Sequence, residues 1–297
     1  MSRNRFGLYG ITYDTSAGRG WPGARYAPDS IRKAIAGIQS RFEENKIFDV
    51  VNNRIIDFSK IDFKDFGNTD HISRYSHEKT IEEIKNNINI IFQQGYTPIL
   101  LGGDHSITWP GILSLYENTS GKIGIIDFDA HLDIKYYSEV QGKYSGSSQI
   151  RRAIELERIC GENVVEIGPR GYNYPEHYEF IKESKMTIIP PKEVFDQGVE
   201  AVAKKALELA KKGTDHIYLT VDIDVLDTAF ALGSGGQEPA GISSYQLSTF
   251  IKEVAPYVDI IDIVEVNPMT DYKELTSNVA ANLIYDYMAS VYYSNND

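Results

Sequence analysis

Short apolar runs with the length of β-strands alternate with amphipathic segments along most of this chain. The runs span residues 6–12, 48–58, 98–101, 122–128, 164–167, 186–189, 217–221 and 259–264. Between them, isoleucines recur at helical spacing over residues 81–91, and residues 199–212 repeat a helical pattern before Gly213. Because strands alternate with helices, the sequence predicts an α/β fold whose mostly parallel, eight-stranded sheet is covered by helices on both faces.

The composition limits the class of protein. We interpret residues 1–297 as one domain, since no linker or repeat divides them. With 42 acidic and 30 basic residues the formal charge is −12, which disfavours binding to nucleic acid or to an anionic membrane. No apolar stretch approaches the roughly 20 residues of a membrane-spanning helix. The single cysteine, Cys160, excludes an intramolecular disulfide, so we expect a cytoplasmic protein.

Four polar clusters begin where predicted strands end. They are Gly102-Gly103-Asp104-His105-Ser106, Asp129-Ala130-His131-Leu132-Asp133, Asp222-Ile223-Asp224-Val225-Leu226-Asp227 and Glu265-Val266-Asn267-Pro268. In open parallel sheets, ligands bind outside the carboxyl ends of the strands. We therefore expect the four clusters to meet along one edge of the sheet.

The second and third clusters have the spacing of a metal site. Residues two apart on an extended segment point the same way, so Asp129, His131 and Asp133 share a face. A single Asp-x-Asp is more often a turn or a helix cap, but several such groups at one edge favour a site for Mn²⁺ or a similar divalent ion. Two such ions can hold a water and lower its pKa, which points to a hydrolase. A nucleotide site at Gly102 and Gly103 is disfavoured because no dinucleotide-binding or Walker pattern is present.

The four clusters resemble the signatures of the ureohydrolase superfamily, which contains arginase, agmatinase, guanidinobutyrase and formimidoylglutamase. The resemblance extends over nearly the whole chain. Residues 22–28 and 31–32 are similar to the N-terminal loop and first helix of the family, and residues 276–284 are similar to its closing helix. It implies a three-layer α/β/α arginase-type fold, a small guanidino or formimino substrate, and a homo-oligomer, commonly a trimer or hexamer.

The same resemblance implies a centre of two Mn²⁺ ions per subunit. The first ion would be held by His105, Asp129, Asp133 and Asp222. The second ion would be held by Asp129, His131, Asp222 and Asp224, so that Asp129 and Asp222 bridge. Asp133 would also pass a proton to the leaving amine, and Glu265 would accept hydrogen bonds from the guanidinium group. Asp104, Asp127 and Asp227 are interpreted as supporting or turn residues.

One part of the family pattern is missing. Arginases and agmatinases usually carry a His-Gly pair downstream of the second cluster, where this chain has Ser145 or Gly146, depending on the alignment. The Ser-Gly-Ser string resembles formimidoylglutamases, which also tend to lack that histidine. The nearest downstream histidine, His177, lies in a helix-like stretch and is interpreted as an ordinary surface residue. An arginase-type proton shuttle is therefore not expected.

The substrate is the least determined property. Glu238 suits a pocket for an amine-bearing tail and favours agmatinase, which converts agmatine to putrescine and urea. Arg151, with Arg152 or Arg170, would suit the carboxylates of N-formimidoyl-glutamate and makes formimidoylglutamase the first alternative, and Ser145 is a further candidate contact. Guanidinobutyrase and arginase follow. A metal-bound but inactive regulatory subunit is disfavoured, because a decaying site has no physical reason to keep its costly buried carboxylates.

Overall fold

The computed structural model describes residues 4–15, 21–69, 76–139 and 142–296. Eight strands form one parallel sheet in the order β4-β1-β5-β10-β9-β6-β7-β8. They are β1 (Arg5–Gly10), β4 (Asp62–Asn68), β5 (Thr97–Leu101), β6 (Ile123–Phe128), β7 (Val164–Ile167), β8 (Thr187–Ile189), β9 (His216–Asp222) and β10 (Ile260–Val264). The predicted parallel sheet is confirmed.

The strand predicted over residues 48–58 is wrong. These residues form a separate antiparallel hairpin of β2 (Lys46–Asp49) and β3 (Arg54–Asp57). The missing strand of the main sheet is β4, whose sequence Asp-Phe-Lys-Asp-Phe-Gly-Asn carries three charges and is largely exposed. It pairs only with β1, at the edge of the sheet. Charged residues protect such edges from pairing with further strands. Here they also remove the apolar pattern by which the sequence would have identified the strand.

Helices cover both faces of the sheet. They are α1 (Ala27–Gln39), α2 (His77–Gln93), α3 (Thr108–Asn118), α4 (Gln149–Ile154), α5 (Pro175–Ser184), α6 (Pro191–Gln197), α7 (Val199–Lys211), α8 (Ser244–Val254) and α9 (Leu275–Asn296). The helices α2 and α7 confirm the two helices predicted from periodicity, with Gly213 in a left-handed conformation just beyond α7. No helix in the described ranges is long and apolar enough to span a membrane.

Two apolar cores lie on opposite faces of the sheet. In β9, Leu219 packs into the core formed with α1, α7, α8 and α9, whereas Tyr218 packs into the core formed with α2, α3 and α4. Successive strand residues point to opposite faces, so a strand buried on both sides needs apolar residues at nearly every position. This arrangement is the three-layer α/β/α architecture expected from the resemblance.

The four polar clusters follow four adjacent strands. These strands, β5, β10, β9 and β6, occupy the middle of the sheet in that order. Because all four run parallel, their carboxyl ends lie at the same edge. The fold therefore brings residues that are up to 160 positions apart, such as His105 and Glu265, into hydrogen-bond contact.

Candidate metal centre

The chain turns sharply after β5 and directs His105 into the sheet edge. Gly102 and Gly103 adopt left-handed φ values of 67° and 86°, and a side chain on Gly103 would lie 2.7 Å from the carbonyl oxygen of Tyr13. His105 is buried, and its backbone N–H donates to Glu265 Oε1 at 2.9 Å. Its ring Nε2 lies 3.0 Å from Thr220 Oγ1. The other ring nitrogen, Nδ1, therefore faces the carboxylates of the neighbouring strands.

The first group of ligand atoms surrounds His105 Nδ1. This atom lies 3.1 Å from Asp129 Oδ2, 3.2 Å from Asp133 Oδ2 and 3.3 Å from Asp222 Oδ2. One ligand atom from each of His105, Asp129 and Asp222 lies within 4.8 Å of the others, which is the spacing around a single ion. The structure thus brings together the residues predicted for the first ion.

The second group lies beside the first and shares Asp129 with it. His131 Nδ1 is 3.2 Å from Asp129 Oδ1 and 3.3 Å from Asp224 Oδ2. Atoms of Asp129, His131 and Asp224 again lie within 4.8 Å of one another. Asp129 offers one oxygen to each group, as a bridging ligand requires. Asp222 belongs only to the first group, and its Oδ1 accepts the Asp224 N–H at 2.9 Å, so its bridging role stays a prediction.

Buried atoms without partners mark the first group as a cation site, and the second group shares Asp129 with it. Among the described residues, His105 Nδ1 and Asp129 Oδ2 are buried without a hydrogen-bond partner. Burial, together with the adjacent Asp224 and Asp129 carboxylates, raises the pKa of Asp222 well above its usual range. Burial and the nearby Asp104 raise the pKa of Glu265 to about 8. Divalent cations offset such crowding of negative charge, and carboxylate with imidazole suits Mn²⁺.

We expect Mn²⁺ to raise the melting temperature of the metal-free protein, and to raise it more near pH 8 than near pH 5.5. The raised pKa of Glu265, about 8, means that the native state holds a proton that the unfolded chain has released. Stability from this proton is present at low pH and is lost as the pH rises toward about 8. Because nearby cations favour the charged form of Glu265, Mn²⁺ binding releases this proton and is opposed at low pH. A hundredfold excess over Kd should add about 3 kcal/mol, or about 5 °C or more, at the higher pH. Calorimetry with and without metal tests this, and equal shifts at both pH values would contradict it.

Two residues at the site have constrained backbones, and a third is restricted sterically. Asp133 and Glu265 adopt left-handed φ values of 46° and 60°. Such conformations cost about 1–3 kcal/mol each and persist only where the surroundings impose them. Gly236 must be glycine for a steric reason, because a side chain there would lie 2.6 Å from Asp224 Oδ2 and 2.8 Å from His131 Cε1. The loop after the third cluster therefore closes directly over the second group of ligands.

A cavity of about 770 Å³ opens above the ligand groups. Its base contains ligand residues and Glu265. Its walls include Lys135, Gly146, Ser147, Arg170, Tyr174, His177, Gly235, Gly236 and Glu238. This volume suits a small molecule whose reacting group lies at the base and whose tail lies along the wall.

Two residues that were predicted to contact substrate, Ser145 and Arg151, do not line this cavity. Ser145 is buried, and its Oγ contacts Ser148 Oγ at 3.3 Å, so its neighbour Gly146 faces the cavity instead. The Arg151 guanidinium packs over the Phe180 ring at 4.2 Å and donates to a backbone carbonyl. Arg170 does line the cavity, but it donates to the backbone carbonyls of residues 168, 224, 225, 226, 238 and 239. It fastens loops together rather than offering a free charge.

Two wall residues were not found from the sequence. His177 was expected at the surface, but it is 5% exposed, and within the described residues neither ring nitrogen has a hydrogen-bond partner. Its ring packs edge-on against Tyr174 at 5.3 Å. Lys135 Nζ lies 4.5 Å from the centre of the Tyr174 ring, on the same wall. Lys135 and His177 are far apart in sequence, so the sequence gave no indication that both contact Tyr174.

The other acidic residues of the clusters have supporting positions. Asp104 accepts the Ser106 N–H at 3.0 Å, and Asp227 accepts the Ala229 and Ala240 N–H groups at 2.9 and 2.7 Å. Both shape turns, the role predicted for Asp227. Asp127 is fully buried, with Oδ1 3.9 Å from His105 Nε2. Burial raises the pKa of Asp127 well above its usual range.

Comparisons with known proteins agree with this geometry. The model of the arginase family matches residues 4–290. The chain is 31% identical to a formimidoylglutamase of Halalkalibacterium halodurans over 292 residues, which cover 95% of this chain and 86% of that protein. It is also 31% identical to an agmatinase of Bacillus subtilis over 284 residues, covering 95% and 90%. A solved formimidoylglutamase structure from Bacillus subtilis superposes with a TM-score of 0.86 at 25% identity, covering 97% of this chain and 87% of that one.

Proposed function

Because the chain belongs to the arginase family, hydrolases of C–N bonds in guanidino and related groups, we propose that its substrate is a small amidine with a carboxylate-bearing tail, N-formimidoyl-glutamate. The products would be glutamate and formamide. The observation that carries this proposal is the ammonium group of Lys135 on the cavity wall, above a base built for an amidinium. Agmatine, whose tail is an amine, is the second candidate.

The ligand groups fit a pair of Mn²⁺ ions. We propose that His105, Asp129, Asp133 and Asp222 hold one ion and that Asp129, His131, Asp222 and Asp224 hold the other. Two such ions would supply a water whose pKa is low enough for nucleophilic attack near neutral pH. The oxygen-and-imidazole donor set, with the buried partnerless atoms His105 Nδ1 and Asp129 Oδ2, supports this assignment.

We propose that Glu265 binds the reacting group. Its Oε1 accepts the His105 N–H, and its side chain lines the cavity together with the ligand residue Asp224. An amidinium is a flat cation with several N–H donors, so a carboxylate at its edge orients it and favours its charged form. Gly235, where an added side chain would lie 3.3 Å from Glu265 Oε2, leaves room for that approach.

We propose that Asp133 handles the proton of the leaving amine. It lines the cavity, and its side chain is 11% exposed. Burial and the neighbouring Asp129 raise the pKa of Asp133 above its usual range. A carboxyl group at this position can receive a proton from the attacking water and donate it to the departing nitrogen. No histidine is required for this transfer.

The tail of the substrate would lie along the wall that contains Lys135. Among the described residues, its Nζ has no recorded carboxylate partner and lies 3.4 Å from Tyr174 Oη. A cation held by an aromatic ring beside a cavity is available to a carboxylate. Formimidoylglutamate brings two carboxylates, whereas agmatine brings an ammonium group that Lys135 would repel.

Glu238 supports the second candidate. Its side chain also lines the cavity, and a carboxylate suits the ammonium group of agmatine. The same wall region thus holds charges of both signs. Assaying the Mn²⁺-loaded protein on N-formimidoyl-glutamate, agmatine, 4-guanidinobutyrate and arginine, with formamide and urea both measured, separates the candidates. Urea from agmatine without formamide release would overturn the proposed substrate.

We expect Lys135→Met to raise the KM for N-formimidoyl-glutamate about tenfold to a hundredfold, because a hydrogen bond to a charged group is worth about 1.5–3 kcal/mol. The value of kcat should change less, since Lys135 lies away from the reacting bond. Steady-state kinetics provide the measurement, and Lys192→Met, an exposed site on α6, is the matched control. An unchanged KM, or a fall in activity on kcat alone, would contradict a role in tail binding.

A further inference from the structure

The side chain of Gln149, the first residue of α4, is fully buried beside the metal centre. Its Nε2 donates to Asp133 Oδ2 at 2.7 Å, and its Oε1 accepts the Ser148 N–H at 3.1 Å. We propose that Gln149 is a positioning residue, which fixes the Oδ2 of Asp133 toward His105 and the first group of ligand atoms. This inference rests on the metal centre of the proposed function.

The orientation of the Gln149 amide follows from its partners. A backbone N–H can only donate, so Ser148 requires the oxygen end of the amide. The opposite end, which faces Asp133, is therefore the NH₂ group. It donates to an acceptor that carries negative charge, and hydrogen bonds of this kind are about twice as strong as those between neutral groups.

The two oxygens of Asp133 have different surroundings. Oδ2 lies 2.7 Å from Gln149 Nε2 and 3.2 Å from His105 Nδ1, so it belongs to the first group of ligand atoms. Within the described part of the chain, Oδ1 has no recorded hydrogen bond, although the residue lines the cavity. Without Gln149 the carboxylate could rotate about its Cβ–Cγ bond and exchange the two oxygens.

The turn before α4 holds Gln149 in place. Ser148 Oγ donates to the Lys143 carbonyl at 2.8 Å and accepts the Ser145 N–H at 2.9 Å. The Ser147 carbonyl accepts the Lys135 N–H at 2.8 Å, only two residues beyond Asp133. The backbone and the Gln149 side chain thus hold the Asp133 segment from two sides. This arrangement also explains how the left-handed φ of 46° at Asp133 is maintained.

The test uses Gln149→Met, which keeps the shape of the side chain and removes the donor. Partners of metal ligands typically change metal affinity or activity by about tenfold to a hundredfold when they are replaced. We therefore expect Mn²⁺ to bind the metal-free, full-length variant at least about tenfold more weakly, and kcat to fall by a similar factor with little change in KM. Gln197→Met, at an exposed residue of α6, is the matched control.

A double-mutant cycle with Asp133→Asn identifies the route of the effect. If Gln149 acts through the Asp133 carboxylate, Gln149→Met should weaken Mn²⁺ binding by less than about threefold in the Asp133→Asn background. An equal loss in both backgrounds would show a general structural role and overturn the proposal. So would a Gln149→Met protein that binds Mn²⁺ like the wild type.

Two measurements distinguish failure of the Gln149 proposal from failure of the proposed function or of folding. The Mn²⁺ titration needs no substrate, so it decides the positioning role even if none of the four candidate substrates is hydrolysed and the proposed function fails. Melting temperatures are measured for every variant. If Gln149→Met does not fold, Gln149→Asn, whose amide is one methylene too short to reach Asp133, replaces it with the same expected losses.

Discussion

Asp129→Asn is expected to reduce turnover at least about a thousandfold and to leave less than the full complement of Mn²⁺ bound. Asp129 is the residue common to both ligand groups, with Oδ2 3.1 Å from His105 Nδ1 and Oδ1 3.2 Å from His131 Nδ1. An amide offers one neutral oxygen in place of two charged ones, so it cannot serve two cations. The measurements are kcat on the best substrate and metal content by elemental analysis after Mn²⁺ loading.

A matched control separates loss of the centre from loss of charge. Asp196→Asn, at an exposed position on α6, should keep wild-type activity and metal content. The Asp129 variant should fold normally, because relief of like-charge crowding offsets the lost hydrogen bonds. If Asp129→Asn retained two bound ions and more than about a tenth of the wild-type turnover, the assignment of the shared ligand would be wrong.

Glu265→Gln is expected to lower kcat/KM about a hundredfold to a thousandfold while leaving metal content unchanged. Its side chain lines the base of the cavity, and its Oε1 accepts the His105 N–H at 2.9 Å, a bond that a glutamine oxygen can keep. The substitution therefore preserves the position of His105 and removes only the negative charge that the amidinium requires. Kinetics and elemental analysis on the same preparation check both halves of this expectation.

The contrast between the two variants is itself informative. Asp129→Asn should lose metal and activity together, whereas Glu265→Gln should lose activity alone. Glu162→Gln, an exposed glutamate, serves as the control for the second substitution. Loss of Mn²⁺ from Glu265→Gln would contradict a substrate-binding role and would assign Glu265 to the metal centre instead.

The convergence of the candidate ligand residues was predictable because each cluster carries its own local signal. Asp129, His131 and Asp133 are two apart at the end of a buried strand, so a side-chain direction follows from the sequence alone. The right-handed alternation of strands and helices then places the ends of all the parallel strands on one edge. Nothing about these steps requires knowledge of long-range contacts.

The cavity wall was not predictable for the opposite reason. Lys135, Tyr174 and His177 come from loops and a short helix, where no periodic pattern fixes the direction of a side chain. In α5 only His177 is buried, so its ten residues show no apolar stripe that would mark the inner face. Likewise, a shift of one residue decides whether Ser145 or Gly146 faces the cavity. The strand β4 escaped prediction because charge at a sheet edge removes the apolar signal.

The left-handed backbones of Asp133 and Glu265 imply a trade-off between the stability of the fold and the proposed activity. Glycine would occupy either position without strain, and mutations that favour stability would therefore tend to remove the two carboxylates to which we assign proton transfer and substrate binding. An engineer who stabilises this scaffold by consensus or backbone design should leave both positions fixed.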